Sequence, residues 1–147
     1  MAKQLSFLFL FTFAGLLSFA QIREIPKAVQ DAFEKQYPQA RGVDFQDNLT
    51  SVHVHFVLDS AKMVAKYTNK GAWKETEKEW GYNKLFPAVQ DGFEKSKYAD
   101  WKVDEVAVIY LPGGAEQYRI RAVKSDLQKK YLYFNKEGRL LRDALTL

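Results

Sequence analysis

Apolar residues recur at helical spacing twice along this 147-residue chain. Val29, Phe33 and Tyr37, with Ala28 and Ala32 beside them, form one stripe, while Gln30, Asp31, Glu34 and Lys35 occupy the opposite side. That pattern predicts an amphipathic helix. Val89 and Phe93 rebuild the stripe in a second copy. Each helix opens at a proline after an apolar residue, Ile25-Pro26 and Phe86-Pro87; the first helical turn tolerates proline because its missing N–H has no partner there anyway. The first helix must stop near Tyr37-Pro38, since a residue before proline is pushed out of the helical region.

After each helix the period falls from 3.6 to 2. Val52, Val54, Phe56 and Leu58 alternate with Ser51, His53, His55 and Val57, the mark of a strand with one covered and one open face. At an offset of sixty-six, Tyr118, Ile120 and Ala122 take the places of Val52, Val54 and Phe56, and Arg119 and Arg121 those of His53 and His55. Asp59-Ser60 and Ser125-Asp126 read as reverse turns. Asn69-Lys70-Gly71 and Asn135-Lys136-Glu137-Gly138 read as hairpin loops, where Asn and Gly tolerate positive φ. Residues 63–68, 72–80, 129–134 and 139–147 supply further strands.

The chain therefore repeats itself: the helix from Pro26 to Lys35 returns from Pro87 to Lys95, and Val43-Asp44 returns as Val103-Asp104. The later offset is larger, so the second copy carries extra residues in its first hairpin, whose tip is Pro112-Gly113-Gly114. Each copy is a helix followed by about four antiparallel strands with short connections. The predicted fold class is α+β, two tandem repeats of about residues 22–80 and 83–147 forming an antiparallel sheet with helices on one face. Two half-sized repeats are easier to stabilise around one shared core, so residues 21–147 are expected to form a single domain. Residues 75–84, with alternating charges before Gly81-Tyr82, bridge the copies.

Residues 1–20 stand apart. Lys3 supplies a positive start, Leu5 to Leu17 is almost wholly apolar, and Ser18-Phe19-Ala20 places small residues at a cleavage site. This reads as a secretory signal peptide cut after Ala20, which places the protein in the periplasm or outside the cell, with no stable membrane insertion afterwards. The chain has no cysteine, so disulfides and thiolate chemistry are excluded. Its net charge of +4 falls to +3 with loss of Lys3. From Gln21 to Tyr82 nine basic residues balance nine acidic ones, and from Asn83 onward twelve face nine. That surplus is too small for a nucleic-acid footprint.

With the signal peptide, the paired helices IPKAVQDAFEKQYP and FPAVQDGFEKSKY, and the hairpins NKGAWKETE and NKEGRLLRD, the chain resembles the PepSY-like, beta-lactamase-inhibitor-protein-like family of exported bacterial proteins. The resemblance spans the mature chain and implies tandem helix-plus-sheet units. It also implies a non-catalytic role in which a sheet face grips a protein, as in restraint of an envelope or secreted hydrolase. A fold does not carry a partner with it.

His53, His55, Arg119 and Arg121, with Tyr131 and Tyr133 on an adjacent strand and Tyr67 in the first copy, are the candidate partner-binding residues on the uncovered face. Tyr and Arg combine broad apolar contact with directional hydrogen bonds, which suits a protein or peptide partner of unknown identity. The alternative is a small-ligand or metal carrier, with His53 and His55 as two ligands and Asp44 and Asp47 on a neighbouring strand as further donors. Replacement of both histidines by arginine in the second copy weighs against metal. Trp73, Trp80 and Trp101 read as core and edge-sealing residues, with Trp101 between helix and sheet and Trp80 at the repeat junction. Glu75, Glu77 and Glu79 project from one strand face and read as a solvated or calcium-attracting edge. No nucleophile elbow, phosphate loop or histidine-assisted nucleophile is present, so no enzyme activity and no cofactor are expected. Asp59-Ser60-Ala61 matches a short O-glycosylation signal of Gram-negative periplasmic proteins.

Overall fold

The structure is a computed structural model describing residues 24–146; the expected signal peptide and its cleavage site lie outside them. The elements follow in the order α1 (Lys27–Gln36), β1 (Arg41–Asp47), β2 (Ser51–Leu58), β3 (Ala61–Thr68), β4 (Trp73–Trp80), α2 (Pro87–Glu94), β5 (Lys102–Tyr110), β6 (Glu116–Ser125), β7 (Gln128–Phe134) and β8 (Leu140–Leu145). Strands β1 to β8 form one antiparallel sheet in which each pairs with its sequence neighbours. Both helices lie on the same side. Among the described residues no helix is long and apolar enough to cross a membrane.

The two helices are held by the same devices. Pro26 caps α1 and Pro87 opens α2. The side-chain amide of Gln30 donates to the carbonyl of Ile25, and that of Gln90 donates to Tyr82 and Leu85, which fixes the angle at which the chain enters each helix. At the far end Tyr37 and Thr76 hydroxyls share a hydrogen bond of 2.6 Å, while Tyr98 donates to Asp143. Each helix is thus tied to the fourth strand of its own repeat. The hairpin glycines complete the clamp: a side chain on Gly71 would come within 2.5 Å of the Ala28 carbonyl oxygen, and one on Gly138 would overlap that of Ala88. Both glycines have φ near +80°, which other residues adopt only with strain.

Burial differs from the expected shared core. One apolar cluster, built on Val29, Phe33, Val52, Val54, Phe56, Ala65 and Tyr67, lies under α1. A second, built on Val89, Phe93, Val106, Ile120, Leu132 and Phe134, lies under α2. Tyr110 packs against both, and hydrogen-bonded strands carry the sheet between them. Each helix is only two to three turns long, so its stripe reaches the strands directly beneath it and no farther.

Candidate functional site

The helix-free face is set by strand alternation. On β2 it carries His53 and His55, on β3 Lys62, Val64 and Lys66, and on β4 Glu75, Glu77 and Glu79, because His53 pairs with Lys66, Lys66 with Glu75, and Val64 with Glu77. On the second repeat it carries Glu105, Ala107 and Ile109 of β5, Arg119 and Arg121 of β6, Tyr131 and Tyr133 of β7, and Arg142 of β8. Six of the seven sequence candidates occupy this face. Tyr67 does not: it is completely buried under α1, where its hydroxyl donates to Gln36 at 2.9 Å. That burial raises its pKa far above the ordinary tyrosine value.

A one-residue slip explains the exception. Counting sixty-six residues from Tyr67 reaches Tyr133, which faces away from the helices. In β6, however, the pairing steps from Val123–Lys129 to Ser125–Gln128, so Lys124 is an extra residue on that strand. The structural counterpart of Tyr67 is therefore Phe134, since a slip of one residue exchanges the faces of everything beyond it. The hairpins agree: the Thr68 N–H donates to the Ala72 carbonyl in one repeat, and the Asn135 N–H donates to that of Arg139 in the other.

The six remaining candidates do not form one cluster. Four strand spacings separate β2 from β6, about 19 Å at the usual interstrand distance. Between them runs an ordered chain of charges that includes Glu75 and Glu77, two of the three glutamates expected to form a solvated edge. Lys66 donates to Glu75 at 2.8 Å and to Glu77 at 2.5 Å. Glu77 accepts from Arg119 at 2.8 Å, and Arg119 also donates to Glu105 at 2.6 Å. Arg121 then pairs with Asp104 at 3.1 Å. Signs alternate at every step, and the chain crosses the junction of the two repeats.

The centre of this chain is buried although no helix covers it. The side chains of Arg119 and Glu77 are only 9% and 14% exposed, and Ala107 and Ile109 beside them are closed off as well. The Tyr131 ring, on the guanidinium of Arg119, provides part of the cover. Burial pushes the Glu77 carboxyl up, but the charges and hydrogen bonds of Arg119 and Lys66 outweigh it and hold the group below its ordinary value. Burial opposes charge on Arg119 too, and Glu77 and Glu105 more than restore it. Glu77 is accordingly kept as an anion, the opposite of the raised carboxyl that a general acid requires.

The expectation that Arg119 is an available contact is thus corrected: it is a fastening. Tyr133, 8% exposed, is corrected likewise; above Arg119 lies a stack. Its guanidinium lies 4.4 Å from the Tyr131 ring centre, Tyr131 and Tyr133 meet edge to face at 6.5 Å, and the exposed Arg142 covers Tyr133 at 3.4 Å. Arg142 was missed in sequence because its strand, with the pattern Leu-Leu-Arg-Asp-Ala-Leu, has no clean alternation.

The histidines sit in a different setting. His53 and His55 are half-buried, and Asp44 is the β1 partner of His55, while Asp47 pairs with Val52 and so belongs to the other face. Burial first, and the Lys66 cation second, depress the His53 pKa. Lys66 is the β3 partner of His53 and is itself held by Glu75 and Glu77. Among the described residues no three ligand-type side chains converge.

The tryptophans seal edges. Trp73 donates to Thr76 at 2.9 Å above the first cluster, Trp101 meets Tyr98 at 5.1 Å beside the second, and Trp80 at the junction lies between Lys78 and Lys84. Asp59-Ser60-Ala61 forms the tip of the β2–β3 hairpin, with both Asp59 and Ser60 exposed at positive φ. A groove of about 780 Å³ opens at the repeat junction, bounded by β2 and β3 on one side and by β4, β5 and Tyr82 on the other.

A BLIP-like protein from Bacteroides fragilis superposes with a TM-score of 0.73 at 26% identity, covering 84% of this chain and 88% of that one. A DUF2874 family protein from Bacteroides ovatus gives 0.74 at 25% identity, over 83% and 88%. A Bacteroides eggerthii protein, described as a candidate periplasmic protein, shares the fold at 0.74 and 24% identity, over 83% and 89%. No curated protein matches the sequence. The family model described as beta-lactamase-inhibitor-like, PepSY-like matches residues 43–142, which takes in all eight strands in whole or in part together with α2; the chain belongs to the PepSY-like, beta-lactamase-inhibitor-like family.

Proposed function

We propose that the protein is exported through the signal sequence at residues 1–20 and acts without catalysis, binding a protein or peptide partner with the helix-free face of its sheet. Restraint of an envelope or secreted hydrolase is the form this takes, in keeping with the family. The observation that carries the reading is the contrast between the two halves of that face. Its centre is locked by the Lys66–Glu77–Arg119–Glu105 chain, while its second-repeat side offers half-buried Tyr131 and exposed Arg142, stacked over the buried Tyr133 ring. A rigid platform with an aromatic and arginine anchor loses little freedom when a partner docks.

The test is capture from an envelope extract by the chain from Gln21 onward, compared with Arg142→Ala and Tyr131→Ala. Proteins held by the parent and released by both variants, at unchanged melting temperature, support the proposal. So does a fall in hydrolase activity when the parent chain is added back. Retention of every captured protein by both variants overturns it. Arg119→Ala is unsuitable as a probe, because it strands two carboxylates.

A further inference from the structure

The groove at the repeat junction arises from a parting of strands. Pairing between β3 and β4 ends at Met63–Lys78, whereas β2 and β3 stay paired to Leu58–Ala61 and β4 and β5 to Trp80–Val106. Beyond Met63 and Lys78 each strand follows its other neighbour. Ala61 and Lys62 therefore have no partner in β4, and Glu79 and Trp80 have none in β3. Strand edges left in this way are templates for an added extended segment. The groove's volume, about 780 Å³, is of the size that holds specific small ligands and short peptide stretches.

One of its carboxylates is unpaired. Of the four that line it, Glu77 is held by Lys66 and Arg119, Glu105 by Arg119, and Asp104 by Arg121. Glu79 is exposed and makes no ion pair with any described residue. It would face Lys62 if β3 and β4 stayed together, and the parting separates them. Trp80 and Tyr82 add aromatic surface at the same place, and the Trp80 indole already accepts Lys78 and Lys84 at 5.1 Å and 5.6 Å. An unpaired carboxylate beside ring faces and open strand edges is matched by a cationic side chain on an extended backbone.

We infer that this groove takes a lysine or arginine side chain, with its flanking residues, from an extended segment of the partner protein. The inference rests on the partner-binding reading above and adds to it a second contact and a charge preference.

The probe is acetyl-Ala-Leu-Arg-Leu-Ala-amide, set against the same peptide with glutamate in place of arginine. Binding to the chain from Gln21 onward is followed by amide shifts in the NMR spectrum. The arginine peptide is expected to shift residues 79–82 and 103–106 and to bind about tenfold more tightly than the glutamate peptide. Glu79→Lys should abolish that preference without altering the melting temperature, since Glu79 is exposed, and Arg142→Ala should leave it intact. Equal binding of the two peptides, or a preference that survives Glu79→Lys, overturns the inference. With the captured partner the two proposals separate: a partner released by Arg142→Ala but kept by Glu79→Lys overturns the groove alone, and one kept by both variants overturns both.

Discussion

Glu75 and Glu77 stand two residues apart on β4, face the same way and share Lys66 as a partner, yet their removal should have very different costs. Glu77 has two cations, Lys66 at 2.5 Å and Arg119 at 2.8 Å, and its side chain is 14% exposed. Glu75 has Lys66 alone, at 2.8 Å, and is 27% exposed. Breaking a buried ion pair from one side costs about 3–5 kcal/mol when the other charge is left bare. In Glu77→Gln each cation keeps one carboxylate, Glu75 for Lys66 and Glu105 for Arg119, so the expected loss is smaller, about 2–3 kcal/mol, in the range of charge-assisted hydrogen bonds. Glu75→Gln should lose less than ~1 kcal/mol, like other pairs near the surface. In urea, with a slope of about 1–2 kcal/mol per molar for a chain of this size, the midpoint should fall by roughly 1–3 M for the first and by less than half as much for the second.

The pH dependence gives a second reading of the same site. The Glu77 carboxyl is held below its ordinary value in the folded state. Its contribution is therefore complete above the unfolded pKa, near 4.5, and is lost as pH falls through the folded one. Parent and Glu77→Gln should differ fully at pH 6–7 and converge only as the pH falls below about 4.5, whereas parent and Glu75→Gln should stay close throughout. Equal losses for the two variants at neutral pH, or a Glu77→Gln deficit that persists undiminished in acid, would refute the reasoning.

Two further comparisons probe the frame. Gly138→Ala drives a methyl into the Ala88 carbonyl at φ +80°, while Gly113→Ala meets a similar φ with nothing within 4 Å; urea melts should show a loss of about 3 kcal/mol or more for the first, strain plus overpacking, and about 1–2 kcal/mol for the second, strain alone. Similar losses would mean that the hairpin does not press on α2. Arg119→Ala, which leaves Glu77 and Glu105 facing each other with less countercharge, should cost about 3–5 kcal/mol, against less than ~1 kcal/mol for the exposed Arg142→Ala. A reversal of that order by thermal or chemical melting would overturn the division between fastening and contact.

The helices, the strand alternation and the duplication were legible because periodicity and turn chemistry are local. Pro26, Pro87, Asp59-Ser60 and the Pro112-Gly113-Gly114 tip all act where sequence places them. What escaped depends on pairing. Nothing beside Lys124 in the chain announces an extra residue in β6, yet it decides that Tyr67 goes under a helix and Tyr133 does not. Glu75, Glu77 and Glu79 look alike in a row of alternating charges, and only the arrival of β5 and β6 buries the middle one. The shared core expected from two small repeats gave way to two clusters because each short helix covers only its own strands.

The additional residue in β6 has a wider consequence. Two copies that begin from one ancestral unit will ordinarily display matching surfaces, and neither can change without eroding its own interior. An insertion at a strand end escapes that constraint: in one step it exchanges which half of the next strand meets solvent, while the preceding strand keeps its place. The first copy has Lys66 and Val64 beside its histidines, and the second has Tyr133 and Tyr131 beside its arginines. A single codon is thus enough to turn a symmetric duplicate into a molecule with two chemically distinct ends.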